Sequence, residues 1–452
     1  MVEPTEERPP APGWHSPARM VSLSEVYRTI VVPRDASVWL RFMAFFGPGY
    51  LVAVGYMDPG NWATDISGGA LFNYRLLSVI LISNFLAIFL QALAAKLGIV
   101  TGRDLAQACN DAYRKPVSIT LWISAEIGIV ACDIAEVLGA AIALNLLFHL
   151  PLVVGVVITA LDVLLVLALQ HKGFRWIESL VITLIATMMV IFAIELVYAK
   201  PDWFGVFAGF VPKAEIIRNP QMLYISLGIL GATVMPHNLY LHSSIIQTRR
   251  HGFSEPELKD SIKLAYTDST VALMLALFVN AAILILAASA FHATGHYEVG
   301  DIQGAYKLLT PLLGAALATP LFAVALLASG QNSTLTGTLA GQIVLEGFTS
   351  WRIAPWARRL ISRGIAIVPS IIAVGVYGEK GIAGLILFSQ VVLSAQLSFA
   401  VVPLVQFTSD RLKMGPFVNG AWTRATGWSV AVLITGLNVY LIVTSIFPSP
   451  SK

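Results

Sequence analysis

Charge is what this chain is short of. Only 12% of its 452 residues are Asp, Glu, Lys or Arg, where soluble domains hold about a quarter, so a water-exposed globular domain is excluded. The charges that remain nearly balance, at a formal net +3, which argues against a nucleic-acid partner. With two cysteines, Cys109 and Cys132, a disulfide framework is not expected and two free thiols are. MVEPTEERPPAPGWHSPARM at the start carries no apolar core of a signal peptide. No nucleotide-binding motif and no nucleophile constellation appears, so neither enzymatic activity nor a bound cofactor is expected.

What the chain has in quantity is apolar sequence, 56% of the total. A membrane-spanning helix needs about 20 apolar residues, and eleven such runs are predicted, near 42–70, 76–100, 117–148, 152–170, 176–199, 221–247, 264–292, 309–346, 360–377, 383–407 and 427–447. Residues 1–40 are expected to form a disordered cytosolic tail, with 22–33 as a short surface segment. With the N-terminus inside, the cytoplasmic connectors hold 22 of the 29 basic residues. Eleven spans then place the C-terminus outside.

Two of the spans are interrupted. Asp58-Pro59-Gly60-Asn61 breaks the first and Met235-Pro236-His237-Asn238 the sixth. Proline removes a backbone donor and glycine adds freedom, so both spans should unwind. Unwound backbone survives in a bilayer only where protein buries it or it lines a cavity. The breaks lie five spans apart, so the second unit of five enters the membrane from the opposite side. Paired breaks in inverted halves point to a transporter's central site. The expected core is therefore 41–410, with repeats 41–199 and 220–410, followed by a connector and a terminal helix over 411–452.

An aspartate inside a membrane costs roughly 2.5–3.5 kcal/mol on insertion scales, so Asp58 must be protonated, paired or facing a cation. Asn61 offers an amide oxygen from the same segment, Met235 a thioether from the other, and the opened turns near Gly55 and Ala232 free carbonyls. Calcium and magnesium prefer oxygen alone, whereas late first-row metals accept sulfur. The donor set therefore points to a divalent transition metal.

DPGN and the run A-x-x-M-P-H from Ala232 to His237 resemble the two signatures of the Nramp family, the natural resistance-associated macrophage proteins. The likeness runs from about residue 45 to 410 and includes GPGYLVAVGYMDPGNWATDISGG, LAAKLGIVTGRDLAQ, GQNSTLTGTLAGQIVLEGF and SQVVLSAQLSFAVVPL. It implies an all-α polytopic membrane protein of LeuT-like fold, a five-plus-five inverted repeat with discontinuous helices 1 and 6 and about 11 spans. It further implies symport of Mn²⁺ or Fe²⁺ with protons across a bacterial inner membrane. By position, Asp58, Asn61 and Met235 resemble the family's metal ligands, with the carbonyls of Gly55 and Ala232. Gln390 matches a glutamine that approaches the metal in some states. Magnesium-carrying relatives depart at the methionine position, which this chain keeps.

Glu126, Asp133 and Glu136 are spaced by seven and three in the third span, within about 80° of one helix face. Three carboxylates on one stripe need partners, and Arg249 and Arg363 are candidate counter-ions. The resemblance assigns Asp133, Glu136, Arg249 and Arg363 to a proton route, with Asp58 as acceptor and His237 near the site. A structural salt-bridge network that also gates the cavity is the plainer reading. Cys132 stands where some relatives carry a hydroxyl. His292 and His296 fall in an outer loop, Asp162, Glu178, Asp268 and Glu346 near span ends, and Asn280 in the seventh span. None of these carries a role by itself.

The functional expectation is a monomeric importer whose partners are divalent metal ions, protons and the lipid bilayer. Two rivals remain at this point: a sodium-coupled amino-acid or organic-solute symporter of the same fold, and a passive metal channel or sensor.

Overall fold

The computed structural model of the protein describes residues 14, 22–23, 26–33, 36–159, 174–250, 252–297, 302–313, 317–349, 351 and 353–446. Its helices, in chain order, are α1 (Val38–Phe45), α2 (Pro48–Val54), α3 (Pro59–Phe72), α4 (Leu77–Thr101), α5 (Leu105–Ala112), α6 (Lys115–Phe148), α7 (Leu152–Ile158) and α8 (Phe174–Ala199). The second half holds α9 (Pro220–Thr233), α10 (Pro236–Ile245), α11 (Glu255–Ala290), α12 (Ile302–Leu313), α13 (Ala318–Thr349), α14 (Pro355–Ile372), α15 (Gly378–Thr408) and α16 (Ala421–Ile446). Shorter helical turns fill the connectors.

Among the described residues, seven helical stretches are long and apolar enough to cross a membrane, and the bent pair α1–α2 makes an eighth. One of the seven, Pro59–Thr101, is 43 residues long. At a rise of about 1.5 Å per residue that is too long for one crossing. Asn73, at φ 56°, turns the chain between α3 and α4. The protein is a multi-pass membrane protein. Residues 160–173, which include Asp162 and most of the expected fourth span, lie outside the described residues. The expected eighth span is corrected at its start, since 309–313 belong to α12 and the long helix α13 begins at Ala318; neither α13 nor α16, in the expected eleventh span, is among the seven stretches.

Both predicted breaks are present, and proline acts in each by starting the second half-helix. Pro59 opens α3 and Pro236 opens α10. At a first helical position the missing N–H costs nothing, and the fixed φ suits the helix. The two broken helices meet at the middle of the bundle. There α3 packs on α9 and α11, α9 on α15, and α10 on α4 and α13. Helix α6 runs alongside, against α13, α14 and α15.

The segment before α1 departs from a plain tail. Ile30–Val31 forms a strand paired in parallel with Arg249–Arg250, the segment that follows α10. The Leu23 N–H donates to Glu346 Oε2 at 3.3 Å. The Trp14 ring packs edge-on to Phe407 under the Arg103 guanidinium.

Candidate metal site between the two broken helices

At the first break the chain passes through a 3₁₀ turn at Gly55–Met57 and then an extended residue, Asp58, at φ −73°, ψ 168°. At the second, Val234 and Met235 leave helical geometry at ψ 63° and 120°. Two carbonyls freed by the first break are claimed by neighbouring helices. Asn280 Nδ2 of α11 donates to Tyr56 O at 2.8 Å, and Ser329 Oγ of α13 to Met57 O at 2.6 Å. Asn280, which had no role in the sequence, thus holds the break open. In an apolar interior such satisfaction is obligatory.

Asp58 caps α3. Its Oδ1 accepts the Asn61 N–H at 2.8 Å, while Oδ2 has no hydrogen-bond partner, although the residue is fully buried. In the hydrogen-bonding orientation of its amide, Asn61 joins the two breaks. Its nitrogen donates to Ala232 O at 3.1 Å and Asp58 Oδ1 at 2.7 Å, and its oxygen accepts from Asn280 at 3.2 Å. One carboxylate, one amide and one carbonyl from opposite half-helices therefore converge.

Gln390 of α15 is wedged between the same two helices. A Cβ on Gly231 would lie 2.1 Å from its backbone oxygen, so only glycine fits there, and one on Gly60 would lie 2.2 Å from its Nε2 and displace the amide. Its Oε1 is buried without a partner. Gly55 backs onto Asn238, whose amide is also unpartnered. Met235 is fully buried in a small cluster with Ala131, Cys132 and Leu393. Ala131 and Cys132 set the Met235 thioether against the wall of α6. His237 is buried with Nδ1 unpartnered. Among the described residues no three His, Cys, Asp or Glu side chains gather in metal-binding geometry. Any cation held here is held by a mixed, weak set.

The three acids of the third span lie on α6 and all meet arginines of α14. Glu126 takes Arg358 at 2.9 Å and the Trp122 indole N–H at 2.9 Å. Arg359 bridges Asp133 at 2.5 Å and Glu136 at 2.8 Å, and Arg363 adds a contact to Glu136 at 3.1 Å and to Thr334 Oγ1 at 2.6 Å. Glu136 in turn lies in electrostatic range of Asp58. The sequence reading found Arg363 but missed Arg359, although ARRLISR places the two at i and i+4 on one helix face.

The expected pairing of Arg249 with these acids does not occur. Arg249 pairs with Glu178 at 2.7 Å and caps the carbonyls of Phe45 and Phe46 at 2.9 and 2.6 Å. Asp268 accepts the N–H groups of Gly47 and Gly49 at 3.2 and 2.7 Å. The α1–α2 bend is thus clamped by buried charges at its own end of the bundle. His292 Nδ1 donates to Ala70 O at 2.8 Å, and His296 Nδ1 meets Thr294 Oγ1 at 2.9 Å, which leaves neither aimed at the site. A chain of Tyr56, Gln91 and His242, at 2.7 and 3.0 Å, also lies near the first break. Nothing in the sequence pairs these three, because each comes from a different span.

Known proteins resemble this chain over most of its length. The family model described as "natural resistance-associated macrophage protein-like" matches residues 49–444. A divalent metal cation transporter, MntH, from Listeria innocua is 59% identical over 95% of this chain and 96% of its own length. The crystal structure of a manganese transporter from Eremococcus coleocola is similar at a TM-score of 0.87 and 40% identity, covering 96% of this chain and 93% of its own. A nucleobase-cation-symport-1 transporter, MHP1, shares the fold alone, at a TM-score of 0.59 and 15% identity over 90% of this chain and 94% of its own. The fold is LeuT-like, and the chain belongs to the Nramp family.

Proposed function

We propose that the protein imports divalent transition metals, Mn²⁺ foremost and Fe²⁺ beside it, together with protons, by alternating access in a bacterial plasma membrane. One observation carries the reading. A fully buried aspartate with an open oxygen stands where two unwound half-helices meet, tied by Asn61 to a carbonyl of the other half. A buried carboxylate without a cation is costly, and a dehydrated metal ion supplies the missing charge. Asp58, Met235 and Asn61, the last with its amide turned so that the oxygen faces the ion, are the side-chain ligands. The carbonyls of Gly55 and Ala232 complete the set in the states that free them, and Gln390 joins as α3 and α9 shift around it. Met235 disfavours Ca²⁺ and Mg²⁺ because a thioether suits softer ions.

The relatives, a divalent metal cation transporter and a manganese transporter, support the cargo. Asp58 accepts the proton when metal leaves. The Asp133, Glu136, Arg359 and Arg363 cluster forms a polar path beside it, with His237 adjoining. The basic-residue bias sets the N-terminus in the cytoplasm, and a single chain holds both repeats, so a monomer suffices. An organic-acid substrate is disfavoured because Asp58 would repel its carboxylate.

The test is uptake of Mn²⁺ by proteoliposomes with an internal pH dye. Wild type should take up Mn²⁺ and acidify the lumen, and Asp58→Ala should fall to the background of empty vesicles. Normal uptake by Asp58→Ala would sink the site assignment, and uptake without acidification the coupling.

A further inference from the structure

The connector between α8 and α9 carries a short helix, Trp203–Gly209, with its largest side chains turned outward. The helix starts on Asp202, whose Oδ1 accepts the Phe204 N–H at 3.1 Å. At about 100° per residue, Trp203, Phe204 and Phe207 fall within an arc of about 100°. They are 54%, 85% and 69% exposed.

The opposite face is in contact with the bundle. Val206 is buried, and Gly205 and Gly209 lie against Tyr74. A Cβ on Gly209 would come 2.3 Å from the Tyr74 carbonyl oxygen. Tyr74 belongs to the turn Asn73–Leu76 between α3 and α4, and its hydroxyl meets Ser289 Oγ of α11 at 2.8 Å. Arg75 of the same turn pairs with Glu215, farther along the connector, at 2.9 Å. The connector thus clasps the end of α3 that lies away from the metal site.

Three aromatic side chains pointing away from the protein face either water or lipid. In water they would form an exposed apolar patch of a kind that soluble surfaces rarely keep. Their place in the chain decides for lipid. Helix α8 is one of the seven spanning stretches and ends at Ala199, just before the connector. Val190, Ile194 and Val197 make an exposed ridge along it, at i, i+4 and i+7. On a spanning helix such a ridge meets acyl chains. The chain turns at Lys200, at φ 46°, and Trp203 and Phe204 follow where the ridge leaves the bilayer. Aromatic side chains collect at that depth, with basic residues beside them; Lys200 and Lys213, both exposed, flank this helix.

We infer that the Trp203–Gly209 helix lies in the headgroup–acyl boundary of the extracytoplasmic leaflet, with Trp203, Phe204 and Phe207 inserted among the phospholipids. The leaflet follows from the orientation proposed above. Through Tyr74 the bilayer then holds the outer end of α3, whose first residue, Pro59, follows Asp58. On the alternating-access reading, α3 pivots about this held end and its displacement is greatest at the metal site.

The test uses the full-length protein in phospholipid vesicles. A nitroxide on Phe204→Cys reads depth, and wild type treated in the same way is the blank, because Cys109 and Cys132 are buried. The label should collide more with oxygen than with a water-soluble nickel chelate, and a label on Lys213→Cys should show the reverse. Equal nickel collisions at the two positions would overturn the inference. So would dipolar broadening between Phe204→Cys labels, which would assign the face to a second copy of the chain. The pair Phe204→Glu and Phe207→Glu should fold, since both side chains point away from the bundle, and should slow Mn²⁺ uptake at least about twofold, where tryptophan at both positions keeps the wild-type rate. Wild-type uptake by the glutamate pair would break the tie to α3. The depth measurement needs no transport, so failure of the metal reading would leave it standing.

Discussion

Two groups of buried acids lie close together in this protein and are treated in opposite ways. Asp133 and Glu136 are locked by Arg359 and Arg363 through contacts of 2.5 to 3.1 Å. Asp58, in electrostatic range of Glu136, has no cationic partner among the described residues and keeps one oxygen open. An acid already neutralised by the protein has little to offer a passing ion. An acid left open has only the cargo or a proton to neutralise it. On the proposed function, the clamped pair serves as gate and proton path and the open acid as the seat of the metal.

Apart from the loss expected for Asp58→Ala, the largest effect should come from opening the clamp. Arg359→Gln leaves Asp133 without its side-chain partner and Glu136 with Arg363 alone. Breaking a buried ion pair costs about 3–5 kcal/mol, so the conformer that holds α6 to α14 should be strongly depopulated and Mn²⁺ uptake slowed. Arg363→Gln should be milder, because Glu136 keeps Arg359. Adding Asp133→Asn to Arg359→Gln should recover part of the loss, since the stranded charge is removed. Equal, unrescued effects of all three would mean that the cluster is not a clamp.

A smaller effect is expected at Met235. Met235→Ala should leave Mn²⁺ uptake working while Ca²⁺ competes about tenfold better, a shift of about 1.4 kcal/mol. Competition assays across a Ca²⁺ series measure it. Unchanged competition would reduce Met235 to packing against Cys132 and Leu393.

The contrast between open and clamped acids was only half legible in the sequence. Asp58, Asn61 and the two breaks are local signals, because proline, glycine and an acid in an apolar run each violate a rule that nothing nearby compensates. The clamp is not local. Glu126, Asp133 and Glu136 announce themselves by spacing along one helix, but which arginines answer them depends on the packing of α14 on α6. That packing separates partners by more than 220 residues, and so Arg249 was a plausible partner until the structure placed it with Glu178. The expected eighth span began too early because apolar composition runs from 309 to 345 without a charge, and Pro320, next to the start of α13, is the only local signal of a new helix.

The finest test asks whether an open oxygen on a capping aspartate is enough to make a site. Asp104 repeats the local geometry of Asp58. It caps α5 at φ −74°, ψ 168°, accepts the Gln107 N–H at 2.8 Å, and leaves Oδ2 without a partner. It lies in the connector between α4 and α5, outside the spans, beside the part of α10 where the neighbouring Leu105 N–H donates to Ser243 Oγ at 2.9 Å. Burial pushes its carboxyl up from 3.8 to about 6, and the hydrogen bonds at the cap only partly offset this. A carboxyl whose pKa is raised by folding favours the native state fully below pH 3.8, and that contribution is lost as pH rises through about 6. The thermal stability of wild type should therefore carry a decline across that window that Asp104→Asn lacks, with the cap itself preserved. The variant should transport Mn²⁺ with unchanged KM. If Asp104→Asn raised the KM for Mn²⁺ as a ligand substitution would, the open oxygen of Asp58 would no longer distinguish the metal site from an ordinary cap.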